Sequence, residues 1–175
     1  MKKGIIASVI ALGMIGGTAH AASNVIFSGA VSTTTCELAP SVNGSILANQ
    51  VVTLPTAEPN KTGAVATFAM KAVDPSAAGC TALTDNNTIS INWSGSNLGA
   101  AGFMANPGSM ASDAVVLLTA KNSKVADSVI TASASSVDFA GSKLGTDGLK
   151  FDAKTKGGAL SGNFTSTASF TVSYK

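Results

Sequence analysis

The residues of this sequence with chemistry to offer are few: two cysteines, Cys36 and Cys80, nine carboxylates and a single imidazole, His20. All eleven cationic side chains are Lys, so no bidentate guanidinium clamp can be built. His20 falls in a segment that reads as a secretory signal peptide over residues 1–21: Lys2-Lys3, then the apolar run Ile5 to Leu12, closed by Ala19-His20-Ala21. Cleavage after Ala21 removes the imidazole. With it go a Ser-His-Asp triad, a Cys-His pair and a His-ligated zinc site. Hydrolysis by paired carboxylates needs two acids that converge. Glu37, Glu58, Asp74, Asp85, Asp113, Asp127, Asp138, Asp147 and Asp152 instead stand singly, mostly beside Gly, Ser, Asn or Lys, as solvated loop groups do. The expectation is no enzyme, no cofactor and no metal. The mature chain has nine Lys against nine acids, so a dense basic patch for nucleic acid is also excluded. What remains is oxidation. An exported chain with an even cysteine pair is expected to bond Cys36 to Cys80, between neighbouring strands, with about 4 kcal/mol of stabilisation from the loop it closes.

Eight windows of period-two alternation carry the architecture. They are Val25 to Val31, Val51 to Leu54, Ala64 to Val73, Thr88 to Ser94, Ala114 to Lys121, Ser128 to Phe139, Leu149 to Asp152 and Phe164 to Tyr174. Turn clusters separate them, among them Pro40-Ser41-Val42-Asn43-Gly44, Thr84-Asp85-Asn86-Asn87, Asn106-Pro107-Gly108 and Gly145-Thr146-Asp147-Gly148. The pattern predicts a single all-β domain, an immunoglobulin-like antiparallel sandwich; Ser128 to Ser136 also fits a short helix. With 45% hydrophobic but only 5% aromatic residues, the core must be filled by Ala, Val, Ile and Leu around Trp93 as its large anchor.

From Gly162 onward the even positions read Gly162, Phe164, Ser166, Ala168, Phe170, Val172, Tyr174, and the odd positions are all polar. Such a long one-faced strand either closes a sheet, paired on both sides, or leaves an edge open to strand addition from another chain. The Lys residues at 121, 124, 143, 150, 154 and 156 are either solvated surface or a patch for an acidic sugar.

Several of these residues together resemble the subunits of chaperone–usher fimbriae. The opening Ile26-Phe27-Ser28-Gly29-Ala30-Val31, the cysteines in Thr35-Cys36-Glu37-Leu38 and Gly79-Cys80-Thr81, Gly162 fourteenth from the end and the penultimate Tyr174 match that family's pattern. Ile91-Asn92-Trp93-Ser94-Gly95 and the ending from Thr167 to Tyr174 look most like major subunits of thin adhesive enteric fimbriae. The resemblance implies a sandwich lacking its last strand, completed by a donor strand from a periplasmic chaperone and then from the next subunit. On that basis residues 1–21 are the leader, 22–29 a short donor segment carrying Val25, Phe27 and Gly29, and 30–175 the pilin domain. Gly162, Phe164, Ala168, Phe170, Val172, Tyr174 and Lys175 would face the chaperone or the neighbouring subunit. The partners implied are that chaperone, an outer-membrane usher, further copies of the chain and a host glycan receptor, and the location is a surface fimbrium reached through the periplasm. The donor segment is shorter than the family's usual extension. A minor or tip subunit, or a free-standing secreted binding domain, therefore stand as alternatives.

Overall fold

The computed structural model describes residues 36–175; the expected strand from Val25 to Val31 lies outside them. Strand β1 (Leu38–Val42) turns into β2 (Ser45–Ile46) through Asn43 and Gly44, both with positive φ, at 50° and 85°. This two-residue turn has the twist that suits a tight hairpin. Pro40 thus lies within a strand rather than in the turn cluster predicted for it. Main-chain bonding from Val73 to Glu37 sets the parity of the pairing between β1 and β3 (Thr62–Ala72). That parity turns the N side of Pro40 away from β3, so its missing N–H removes no bond to β3, while on the other side its carbonyl accepts from the Leu47 N–H.

The remaining elements follow in order as α1 (Ala78–Thr81), β4 (Thr88–Ser94), β5 (Phe103–Met104), β6 (Val115–Ala120), β7 (Ser128–Ile130), β8 (Ser136–Ala140), α2 (Ser142–Gly145), β9 (Leu149–Lys156) and β10 (Ser169–Tyr174). All pairings are antiparallel. One sheet has the order β2-β1-β3-β9-β6-β5 with β7 also on β6, and the other the order β10-β4-β8. This is the immunoglobulin-like sandwich expected.

Alternation places the core. Leu149, Phe151, Ala153 and Thr155 of β9 are buried on one face, and Ile89, Ile91 and Trp93 of β4 meet them from the other sheet. The Trp93 ring stands edge-on to Phe151 at 5.3 Å, lies 6.3 Å from Phe103 and 5.6 Å from Phe170. Such tilted and edge contacts match the aromatic quadrupole, and Trp93 is the anchor expected.

Four expected strands differ in the structure, the one from Leu149 running on past Asp152 to Lys156. Ser128 to Phe139 is not one element: the chain crosses between sheets, β7 pairing with β6 and β8 with β4, around a turn closed by Thr131 and Ala134. Val51 to Leu54 joins no strand, although Val52 and Leu54 pack against the core; the prolines at 55 and 59 close the segment that carries them. The ladder of the last strand begins only at Ser169. The disulfide between Cys36 and Cys80 is present, with Cα atoms 4.9 Å apart. It ties the chain just before β1 to the one-turn helix α1 rather than two neighbouring strands.

Candidate functional site

β10 is an edge strand, with β4 on one side and no described strand on the other. The direction in which its backbone points follows from one pair. Lys175 and Thr88 exchange both main-chain bonds, at 2.8 and 2.9 Å. In an antiparallel ladder such pairs alternate, so the odd residues of β10 bond β4 while Phe170, Val172 and Tyr174 turn their N–H and C=O groups to the free edge.

The same parity runs on upstream, where β4 has ended. The carbonyl of Asn163 accepts from the N–H of Met110 (3.0 Å) and that of Thr165 from the N–H of Asn106 (2.7 Å). The N–H groups of Thr165 and Thr167 donate to Ser109 Oγ (3.3 Å) and Asn106 Oδ1 (3.2 Å). Among the described residues, no hydrogen bond takes up the main-chain groups of Phe164, Ser166 or Ala168. The edge is therefore continuous from Phe164 to Tyr174. Its even side chains face inward: Phe170, Val172 and Tyr174 pack on the main core, and Phe164 on a small separate cluster of Ala105, Ala111 and Ala114.

Opposite this edge runs the segment from Gln50 to Pro59, and between the two lies a groove. Its inner part, about 170 Å³, is bounded by Phe170 and Ala168 on one side and Pro40, Gln50 and Val52 on the other. The floor there is the core itself: Phe68, Met70, Trp93, Phe103, Leu118 and Ala153. The outer part, about 430 Å³, lies between Gly162 and Phe164 and the stretch from Leu54 to Pro59.

Both ends of the edge are fixed by named contacts. At the inner end the Tyr174 hydroxyl donates to the carbonyl of Cys36, the residue held by the disulfide, and burial pushes the phenol up to about 12. At the outer end Gly162 has φ +133°, and a Cβ there would lie 2.5 Å from Met110 Cβ. Only glycine suits both that backbone and that approach. Upstream of it, the Asp113 carboxylate accepts the N–H groups of Ala159 (2.7 Å) and Leu160 (3.2 Å), directing the chain from β9 toward the groove.

Of the residues singled out from sequence, Gly162, Phe164, Ala168 and Phe170 line one wall of the groove, and Val172, Tyr174 and Lys175 continue the same edge beyond it. Val25, Phe27 and Gly29 lie outside the described residues. Asn97, Asn106 and Asp113 were not singled out; Asn106-Pro107-Gly108 reads as a turn, and nothing in a turn motif says which distant segment it will hold. The lysine cluster is partly neutralised: Lys121 pairs with Asp127, and Lys150 lies 3.1 Å from Asp147. Among the described residues no group of three His, Cys, Asp or Glu converges, and no helix is long and apolar enough to cross a membrane.

No family model matches the chain. The F107 fimbrial protein of Escherichia coli is 40% identical to it over 176 residues, covering 100% of both chains. The crystal structure of the P pilus rod subunit PapA aligns with a TM-score of 0.53 at 14% identity, over 87% of this chain and 99% of that one.

Proposed function

The chain belongs to the chaperone–usher family of fimbrial subunits, and on that premise we propose that its groove seats an extended segment of another chain: first a periplasmic chaperone, then the next subunit. The observation that carries this reading is the parity of the edge from Phe164 to Tyr174. Unbonded main-chain groups point across the groove while apolar side chains point into the core beside it. An inserted strand would complete the ladder and cover the exposed Ala168 and the half-buried Phe164, Phe170 and Val172 in one step, and both gains are absent from a subunit in water. The role is structural and needs neither catalysis nor a cofactor.

Within this reading residues 1–21 direct export and are removed, and 22–29 are the donor, presenting Val25, Phe27 and Gly29 on one face. Residues 30–175 form the body. Gly162, Phe164, Ala168, Phe170, Val172 and Tyr174 form the receiving wall, and the Lys175 carboxylate is met by basic chaperone residues. Export runs through the periplasm and an outer-membrane usher, and host-cell adhesion is a property of the assembled fibre.

The test is Phe27→Asp, expressed with the cognate chaperone and usher. A carboxylate driven into an apolar groove without a partner costs several kcal/mol, roughly. The expected result is a soluble chaperone–subunit complex, with no SDS-resistant ladder and no fibres by electron microscopy. Normal fibres would overturn the donor assignment. Deleting residues 170–175 should instead abolish chaperone capture, and undiminished periplasmic levels of that truncated chain would overturn the receiving wall.

A further inference from the structure

Resting on the groove reading above, we propose that Asn106 is a positioning residue that doubles the length of the edge a partner strand can use. β4 ends at Ser94, opposite Ser169, so the chain upstream of Ser169 has no strand beside it. Asn106 takes the place of one. Its main-chain N–H donates to the Thr165 carbonyl (2.7 Å) and its side-chain Oδ1 accepts from the Thr167 N–H (3.2 Å). A residue of a parallel strand opposite Ser166 would bond the same two groups, its main-chain carbonyl doing what Oδ1 does here.

The amide is held for this task. Its Nδ2 donates to Thr167 Oγ1 (2.9 Å) and Thr165 Oγ1 (3.2 Å), and its Oδ1 receives a further bond from Asn97 Nδ2 (3.3 Å). Asn97 in turn reaches Ser166 Oγ (2.9 Å) and the Met104 carbonyl (2.6 Å). β10 alone offers the main-chain groups of Phe170, Val172 and Tyr174. With the upstream stretch held extended in the same parity, Phe164, Ser166 and Ala168 join them. The partner that fits is an extended segment of a second copy of this chain, the donor residues 22–29 together with the three that follow, about eleven residues in all and on the order of 36 Å at the strand rise.

Amide hydrogen exchange on purified fibres tests this, comparing the natural chain with Asn106→Ala and Asn106→Asp. Natural fibres should protect the amides of all six even residues from 164 to 174. In Asn106→Ala, those of Phe164, Ser166 and Ala168 should exchange at least about tenfold faster while those of Phe170, Val172 and Tyr174 stay protected. Asn106→Asp keeps Oδ1 and should recover part of the protection; should Asn106→Ala yield no fibres, the same split is read from Asn106→Asp against the natural chain. Full protection of 164–168 in the variant, or a loss spread evenly to 174, would overturn the proposal. Natural fibres that protect 170–174 but not 164–168 would sink it alone, whereas natural fibres that protect neither would sink the groove reading as well.

Discussion

Residues 162–168 and 169–174 carry the same alternation, apolar on even positions except Ser166 and polar on odd, yet they are held in different ways. The downstream half is a regular strand on β4, locked at its end where Tyr174 donates to Cys36, and its side chains join the main core. The upstream half has no strand neighbour: a loop and two asparagine side chains keep it extended, and Phe164 packs in a small cluster of alanines. Alternation thus decides which way a side chain faces. What the backbone is bonded to is decided elsewhere in the chain.

The comparison breaks most readily at the inner end. Cys36→Ser should cost about 4 kcal/mol through the loop that the disulfide closes and loosen the carbonyl that holds Tyr174. Urea midpoints of oxidised and variant protein measure the loss; equal midpoints would mean that the disulfide constrains nothing. Next, Phe170→Ala should cost about 3 kcal/mol because its ring leaves Trp93, and Phe164→Ala about half as much because its cluster is shallow. The reverse order by thermal unfolding would place the greater packing in the upstream half. Gly162→Ala should cost about 2 kcal/mol. Adding Met110→Ala should return only part of that, since space is regained but φ +133° is not.

The smallest effect is Tyr174→Phe, about 1 kcal/mol for one hydrogen bond. Its pH dependence sharpens the assignment. The folded phenol titrates at about 12, above its unfolded value near 10, so its contribution is whole below about pH 10 and is lost as pH climbs toward 12. The natural chain should therefore lose stability over that window and Tyr174→Phe should not, as melts at roughly pH 8 and roughly pH 11 would show. The chain has a single Tyr, so its near-ultraviolet absorbance follows the same titration directly.

Much of the fold was legible because period-two alternation is a strong signal where one face is buried. β4 was placed residue for residue at Thr88–Ser94, and β6 to within one residue at each end. What escaped was short or two-sided. β2 and β5 have two residues each, too few for any period, and Leu38 to Ser41 are all buried, so β1 shows no alternation. Ser128 to Phe139 reads as one window, but its inward parity shifts from even at Ile130 to odd at Val137 and Phe139, because the chain turns a corner there and changes sheet. For the site, the wall was readable as one face of a strand. The residues that fix its ends were not, because Asn97, Asn106 and Asp113 act on segments 46 to 69 positions away.

The disulfide also decides how the subunit would carry tension. A pull arriving at Cys36 from the preceding chain can pass through the sulfur bridge to Cys80, then along the short path to β4, which is paired residue by residue with β10. Residues 37–79, with β1, β2 and β3, hang beside this route as an unloaded loop. A segment lying along the outer side of β10 and pulled along its own length would load its ladder bonds side by side rather than one after another. The covalent bridge and the paired strands thus form one continuous mechanical line, and with that one bond reduced the same pull would enter β1 and load its ladder with β3 instead.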